Sequence, residues 1–261
     1  MFNIGTGLIC AQGRGAEVVR TADTVPPVEV AVPFQDHPFA LYAVSPQLLK
    51  DRAVLGWMRR ADRFAKMAML AANDAFIAAD ISHVESERIG VILATALGPH
   101  ATTFRFLDEI LEYGDAAVSP TIFSNTVHNA ALSYISKALT IKGPTLTLSC
   151  FENPFQRAVE LAGAWLESGR CDYVLLGAGE ECGVAMDYIY RERISGMVNK
   201  PGEPPVIPGE GFAFFVFTKQ GEGPEFAITE SSFSALCGHL FSGKALDCAI
   251  ESLKNQNHLG A

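Results

Sequence analysis

The chain has 261 residues, 49% of them hydrophobic and 19% charged, so it can bury a large core as one or two domains. Its formal net charge of −9 argues against nucleic acid or an anionic membrane as the main partner, but not against an acidic protein that docks on a local basic patch. The six cysteines lack metal-ligand spacing, so we expect reduced, mostly buried thiols and no metal. No apolar run reaches transmembrane length and the N-terminus lacks signal-peptide features, so we expect no membrane span and a cytoplasmic location.

The first 82 residues predict a strand, an irregular segment and a long helix. Phe2–Cys10 has the composition of a strand, and residues 11–45 contain several prolines with little periodicity, which indicates an irregular surface segment. Residues 59–82 predict a helix because apolar side chains recur on one of its faces. These side chains are Phe64, Met67, Ala71 and Ala75.

The next segment predicts a buried strand followed by two helices. Residues 88–95 form a short apolar run typical of a buried strand, and His100–Tyr113 has the pattern of an amphipathic helix. Residues 119–144 then read SPTIFSNTVHNAALSYISKALTIKGP, which predicts one further helix around residues 123–136.

Residues 143–181 predict a strand, a tight turn, a helix and a second strand. Residues 145–150 are rich in β-formers, Asn153 and Pro154 supply a cap and a first helical position, and Gly169 closes the helix. Residues 172–179 are almost wholly apolar, as in a strand buried on both faces of a sheet. This order predicts a layered α/β protein.

The remaining residues add shorter elements. Residues 186–200 form a mixed polar segment, residues 201–208 a proline-rich loop, and residues 212–217 a buried strand. The glycines beside Glu210 are explained as turn positions, so we assign Glu210 no catalytic role. A strand at 225–232 and a helix at 243–254 are predicted near the end.

The segment 143–181 resembles the nucleophile segment of the β-ketoacyl synthases of the thiolase-like superfamily, and the charged start of the 59–82 helix resembles that family as well. The resemblance implies a thiolase-like layered α/β/α fold. Residues 1–218 correspond to a largely complete N-terminal half and residues 219–261 to a shortened remnant of the C-terminal half. An ungapped comparison places the nucleophilic cysteine of the family at Glu152, and a carboxylate cannot replace a thiolate that carries an acyl chain as a thioester.

The two histidine motifs of the ketosynthases are also missing, because His239 and His258 lack the neighbours that orient a catalytic imidazole. The chain therefore resembles the chain length factors of type II polyketide systems, in particular the small ones of bacterial aryl polyene pathways. This resemblance implies a non-catalytic subunit without cofactor that forms a heterodimer with an active β-ketoacyl synthase. The acyl carrier protein is then reached through that complex.

The resemblance also implies which residues meet the partner. The strand Thr145–Ser149 is expected to add to the corresponding strand of the ketosynthase, and the helix around 123–136 is expected to line its acyl tunnel. The tunnel and interface candidates are Phe123, Thr126, Val127, Ala130, Thr145, Thr147 and Ser149.

Several alternatives stay open at the level of sequence. Glu152 is either a structural anion at a helix N-terminus or a group that contacts partner, carrier or substrate. His128 is either a core or interface residue or part of a site. Cys150 is either a small buried residue or a displaced nucleophile, so Cys150 or Glu152 with His128 could serve a small acyl-thioester hydrolase or decarboxylase. A homodimeric scaffold is a further alternative.

Overall fold

The fold was analysed in a computed structural model that describes residues 1–19, 25–30, 38–199, 202 and 205–221. The strand predicted at 225–232, the helix predicted at 243–254, and both His239 and His258 lie outside the described residues. Within the described part, no helix is both long enough and apolar enough to cross a membrane.

Eight strands and eight α-helices make up the described chain. The strands are β1 (Phe2–Cys10), β2 (Gly13–Arg14), β3 (Val28–Val30), β4 (Phe39–Leu41), β5 (Ile89–Thr95), β6 (Thr145–Ser149), β7 (Tyr173–Glu180) and β8 (Gly211–Thr218). The helices are α1 (Arg52–Leu55), α2 (Arg63–Ala78), α3 (His100–Tyr113), α4 (Pro120–Asn125), α5 (Ala130–Ala138), α6 (Pro154–Glu167), α7 (Val184–Ile189) and α8 (Ser195–Val198). A π-helical turn, Tyr190–Ile194, joins the last two helices.

Six strands form one mixed sheet in the order β2-β1-β8-β7-β5-β6. Strand β5 pairs in parallel with both β6 and β7, whereas β8 pairs antiparallel with β1 and β7. All seven residues of β5 are buried, as expected for a central strand with both faces covered. Strand β6 forms an edge of this sheet, so one side of its backbone has no neighbouring strand among the described residues.

Helices cover both faces of the sheet, which gives the predicted α/β/α layers. On one face α2 packs against β1 and β8, and its Asp62 cap accepts a hydrogen bond from the Ala65 amide at 2.8 Å. Helix α2 and strand β1 approach each other closely at Gly7, where a Cβ would lie 2.1 Å from the carbonyl oxygen of Ala71. On the other face α6 buries an apolar stripe against the sheet. This stripe comprises Ala158, Val159, Ala162, Trp165 and Leu166.

The single helix predicted around residues 123–136 is wrong, because two short helices, α4 and α5, occupy this stretch. Helix α4 closes where the Thr126 amide donates to the Phe123 carbonyl at 3.0 Å. The Thr126 hydroxyl donates to the same carbonyl at 2.9 Å. Short polar side chains that bind nearby carbonyls in this way compete with the continuation of a helix.

Two other stretches also differ from the prediction. Residues 11–45, expected to be irregular, include β2, β3 and β4, and Phe39 with Leu41 forms a small separate apolar cluster. Residues 186–200, expected to be a mixed polar segment, are helical over most of their length. An ion pair of 2.6 Å between Arg191 and Asp187, spaced i and i+4, stabilises that helical segment.

Candidate functional site

The candidate site lies where the carboxyl ends of three neighbouring strands meet. Residues 96–98 follow β5, residues 150–153 follow β6, and Glu181 follows β7 directly. The carboxyl ends of β5, β6 and β7 lie at one edge because these three strands are parallel. In open α/β sheets this edge is the usual position of binding sites.

The turn after β6 is anchored to the end of β5. The Cys150 amide donates to the Thr95 carbonyl at 3.1 Å, and the Ser149 hydroxyl donates to the Ala96 carbonyl at 3.4 Å. Asn153 then adopts a left-handed conformation with φ of 53° at the N-cap position of α6, where its side chain makes no capping hydrogen bond, and Pro154 is the first helical residue. The turn leaves Phe151 with 76% of its surface exposed.

Glu152, which the ungapped comparison places where the ketosynthases have their nucleophilic cysteine, is exposed on this turn. Its backbone carbonyl accepts hydrogen bonds from the Cys150 thiol at 3.0 Å and from Nε of Arg157 at 3.4 Å. Its carboxylate makes no hydrogen bond or ion pair with any other residue that the structure describes. The carboxylate of Glu152 is therefore exposed and unpaired among the described residues, and it cannot carry an acyl chain as a stable thioester.

The other proposed interface residues differ in exposure. On the edge strand Thr145 and Ser149 are exposed and Thr147 is half-buried. Phe123 and Val127 expose 56% and 46% of their surfaces. Thr126 is half-buried and Ala130 is buried at the start of α5.

His128 lies beside the loop that follows β5. Gly98 has a φ of 63°, and a Cβ added there would lie 2.4 Å from Cδ2 of His128. The imidazole is exposed, and within the described chain it makes no hydrogen bond to Cys150 or Glu152. The fold thus brings Cys150 and His128 to the same loop without joining them as a nucleophile and a base.

Glu180, which the sequence analysis did not identify, holds that loop in place. Its carboxylate accepts hydrogen bonds from the Thr95 hydroxyl at 2.8 Å, the Ala96 amide and the Leu97 amide at 3.2 Å. Burial raises the pKa of Glu180, and the backbone hydrogen bonds oppose that shift. In the sequence, the feature that could have identified Glu180 is its position at the end of an apolar strand.

The sequence analysis also missed Glu181, a buried carboxyl group. Glu181 is 1% exposed and accepts a hydrogen bond from the Ala101 amide at 2.9 Å. Burial, together with the nearby charge of Asp62, raises the pKa of Glu181 to about 8. His100 is also buried, its Nε2 has no hydrogen-bond partner among the described residues, and burial lowers its pKa.

The prediction that the glycines beside Glu210 are turn positions is wrong, because Gly211 begins β8 and Gly209 forms a parallel bridge with Tyr42. Glu210 itself is held in an ion pair that this prediction did not anticipate. Its carboxylate pairs with Arg63 and accepts hydrogen bonds from the amides of Val44 at 2.8 Å and Cys182 at 3.2 Å. These contacts join the start of α2 to the entry of β8. Among the described residues, no group of three or more His, Cys, Asp or Glu side chains could hold a metal ion.

Comparison with known families shows what the chain is similar to. Residues 52–216 match the family described as "Beta-ketoacyl synthase, N-terminal domain". Comparison with curated proteins gave no match.

Solved structures share the fold. The ishigamide ketosynthase/chain length factor is 20% identical with a TM-score of 0.67, and the match covers 86% of this chain and 63% of that chain. A β-ketoacyl synthase from Burkholderia phymatum STM815 is 20% identical with a TM-score of 0.63, covering 82% and 58%. The complex of the ketosynthase ApeO with its chain length factor ApeC from Xenorhabdus doucetiae gives 12% identity and a TM-score of 0.54, covering 85% and 81%. The chain spans about three fifths of the length of the first two of these.

Proposed function

Because the chain belongs to the β-ketoacyl synthase family through its N-terminal domain, we propose that it is a chain length factor. In this proposal it is a non-catalytic subunit that pairs with an active β-ketoacyl synthase and contributes part of the wall of its acyl tunnel. Residues 1–218 form the ketosynthase-like half. An acyl carrier protein supplies the chain that the complex extends, as in polyketide synthesis of the aryl polyene type.

Glu152 is the observation that carries the non-catalytic part of the proposal. A ketosynthase needs a thiolate at this helix terminus, since the helix dipole lowers the pKa of the thiol that accepts the acyl group. The carboxylate of Glu152 cannot form a stable thioester, and it has no hydrogen-bonding partner in the described structure. The position that would hold the nucleophile therefore cannot carry an acyl chain as a stable thioester.

The pairing with a ketosynthase is supported by the exposed edge of the sheet. Among the described residues no strand pairs with the outer side of β6, and Leu146 on this strand is 43% exposed. Phe151 directly after β6 is exposed, and so are Phe123 and Val127 in the α4 segment that precedes α5. An open strand edge with apolar surface suits addition of a strand from another protein, which covers both features together.

Two of the similar structures also support the proposal. The ApeO–ApeC complex pairs a ketosynthase with a chain length factor. The matched chain of that complex is similar in length to this chain, since the alignment covers 85% of this chain and 81% of that chain. The ishigamide structure likewise includes a chain length factor.

A small acyl-thioester hydrolase or decarboxylase is the second candidate. It is favoured by one observation, the approach of Cys150 and His128 to the same loop at residues 95–98. In this case the isolated chain would turn over an acyl thioester, and Cys150→Ser would abolish that turnover while leaving the fold intact.

Co-expression with the ketosynthase encoded nearest to this chain distinguishes the two candidates. With a tag on this chain alone, we expect a one-to-one complex in size-exclusion chromatography and mass measurement, and loss of condensing activity when this chain is omitted. Recovery of this chain as a monomer or homodimer that hydrolyses acyl thioesters would overturn the proposal. A stable homodimer without such turnover would indicate a scaffold instead.

A further inference from the structure

Helix α3 presents a row of apolar side chains to solvent. Phe104, Leu107 and Leu111 are 42%, 46% and 85% exposed, and we name these three residues the α3 stripe. At about 100° per residue they fall within about 60° of one another around the helix axis, so the stripe is continuous. Single exposed apolar residues are ordinary, whereas a stripe along one face is typical of a helix that packs against another element.

Three exposed charged residues, Arg105, Asp108 and Glu112, run along one side of the α3 stripe. They too fall within about 60° of one another around the helix axis. Arg105 pairs with Glu109 at 3.3 Å, and its side chain is still 70% exposed. Asp108 and Glu112 form no ion pair within the described part of the chain. The last turn of α3 contains no basic residue, so the negative end of the helix dipole also disfavours Glu112.

This arrangement of side chains is complementary to itself when two copies of α3 lie antiparallel. A two-fold axis between residues 107 and 108 places Phe104 of each copy level with Leu111 of the other, and the same flank of both helices meets. Since each residue advances about 1.5 Å along the axis, Arg105 of one copy then lies midway between Asp108 and Glu112 of the other. Each arginine also offsets the repulsion between the two Asp108 carboxylates near the axis.

We propose that this chain self-associates through α3, with the α3 stripe of one copy packed antiparallel on that of a second copy. A second copy is the occupant that the charges favour, because it supplies an arginine to the acidic residues that α3 leaves without an ion pair. The antiparallel arrangement also places the positive N-terminal end of one helix beside the acidic last turn of the other. A two-fold contact of this kind closes after two copies.

The α3 contact goes beyond the proposed function, because it uses α3 rather than the edge strand β6. A chain paired through α3 is therefore still expected to bind a ketosynthase, and the full complex should contain two copies of each chain. This expectation distinguishes it from a homodimeric scaffold that binds no ketosynthase. Two helices of 14 residues bury less surface than a standard protein interface, so we expect a weak association that depends on concentration.

Sedimentation velocity of the isolated full chain over a wide concentration range tests the contact. We expect the wild-type chain to change from monomer to dimer as its concentration rises. Leu111→Glu should weaken this association at least about tenfold, because it places an unpaired charge in an apolar contact. Ile77→Glu makes the same change in charge at a 67% exposed position on α2 and should leave the association unchanged.

An exchange of charges tests the antiparallel arrangement itself. Arg105→Glu in one variant, and Asp108→Arg with Glu112→Arg in another, should each abolish self-association, because like charges then meet across the contact. When the two variants are mixed in equal amounts they should pair with each other, since residue 105 of each copy again faces opposite charges. All three positions are exposed, so the circular dichroism spectrum and Tm of both variants should stay close to wild type.

A wild-type chain that stays monomeric at every concentration, or a dimer that survives Leu111→Glu, would overturn the inference. So would two folded charge variants that do not pair when mixed.

The ketosynthase complex is followed separately by mass measurement, and we expect two copies of each chain for the wild type and one of each for Leu111→Glu. Loss of the ketosynthase from Leu111→Glu would also overturn the inference, because α3 would then bind the ketosynthase instead of a second copy. A wild-type chain that forms dimers but no ketosynthase complex contradicts only the proposed function.

Discussion

The rings of Phe106 on α3 and Phe123 on α4 lie 5.4 Å apart between centroids and are inclined at 42°. This aromatic pair packs α4 against α3, yet Phe123 remains 56% exposed. Helix α3 also exposes Leu107 and Leu111, at 46% and 85%. The two helices therefore carry several exposed apolar side chains, as expected of a surface that a partner covers.

Phe123 should influence product length if it lines the acyl tunnel. We expect Phe123→Ala to shift the products of the co-expressed complex towards longer chains and Phe123→Trp towards shorter ones, because side-chain bulk limits the space for the chain. Mass spectrometry of the products measures this. Ile77→Ala, at a 67% exposed position on α2, serves as the control. An unchanged product distribution in both Phe123 variants would contradict a tunnel role.

Leu146 should be required for pairing rather than for folding. It is 43% exposed on the edge strand β6, so Leu146→Lys places a charge where the partner is expected to bind. We expect the ketosynthase complex to be lost in size-exclusion chromatography while the circular dichroism spectrum and Tm stay close to wild type. Tyr188→Lys, at a 60% exposed position on α7, should retain the complex. Retention of the complex by Leu146→Lys would argue against β6 as the contact.

Glu152 should be replaceable without effect on the complex. Its carboxylate is exposed and has no partner in the described structure, so we expect Glu152→Gln to change the free energy of unfolding by less than about 0.5 kcal/mol. Condensing activity of the complex should be unchanged. Glu152→Cys should yield no condensation by the isolated chain, because no histidine of the described residues forms a hydrogen bond with the turn at 150–153. Loss of activity in Glu152→Gln would instead indicate contact with partner, carrier or substrate.

Short-range patterns were sufficient to predict much of the fold. Strand β1 and helix α3 have the predicted bounds, since alternation and helical periodicity are properties of each segment alone. The edge strand β6 and the first residue of α6 were likewise predicted correctly, whereas Asn153 occupies the cap position without a capping hydrogen bond from its side chain. The layered architecture then follows from the order of these elements.

Features that depend on distant contacts could not be predicted from the sequence. The break between α4 and α5 involves Asn125, whose side chain binds the carbonyl of Arg60. The role of Glu180 depends on amides that follow a different strand, and that of Glu210 on Arg63 at the start of α2. Each of these polar groups has a partner far away in the chain, so its local sequence does not identify that partner.

Glu181 should make the stability of the protein fall as pH rises. Its pKa is about 8 in the folded state and near 4.5 as a free side chain, so between these values the folded state retains a proton that the unfolded state releases. Stability from this group is present in full below pH 4.5 and is lost as pH rises through about 8, at up to about 1.4 kcal/mol per pH unit.

Glu181→Gln should remove that contribution while retaining the hydrogen bond from the Ala101 amide, because the side-chain carbonyl still accepts. The variant should therefore gain stability relative to wild type from pH 5 towards pH 8, as measured by urea unfolding across that range. Glu160→Gln, on the exposed face of α6, should follow the wild-type curve. Parallel curves for Glu181→Gln and wild type would mean that Glu181 is ionised in the folded protein, and burial beside Asp62 would then not control its charge.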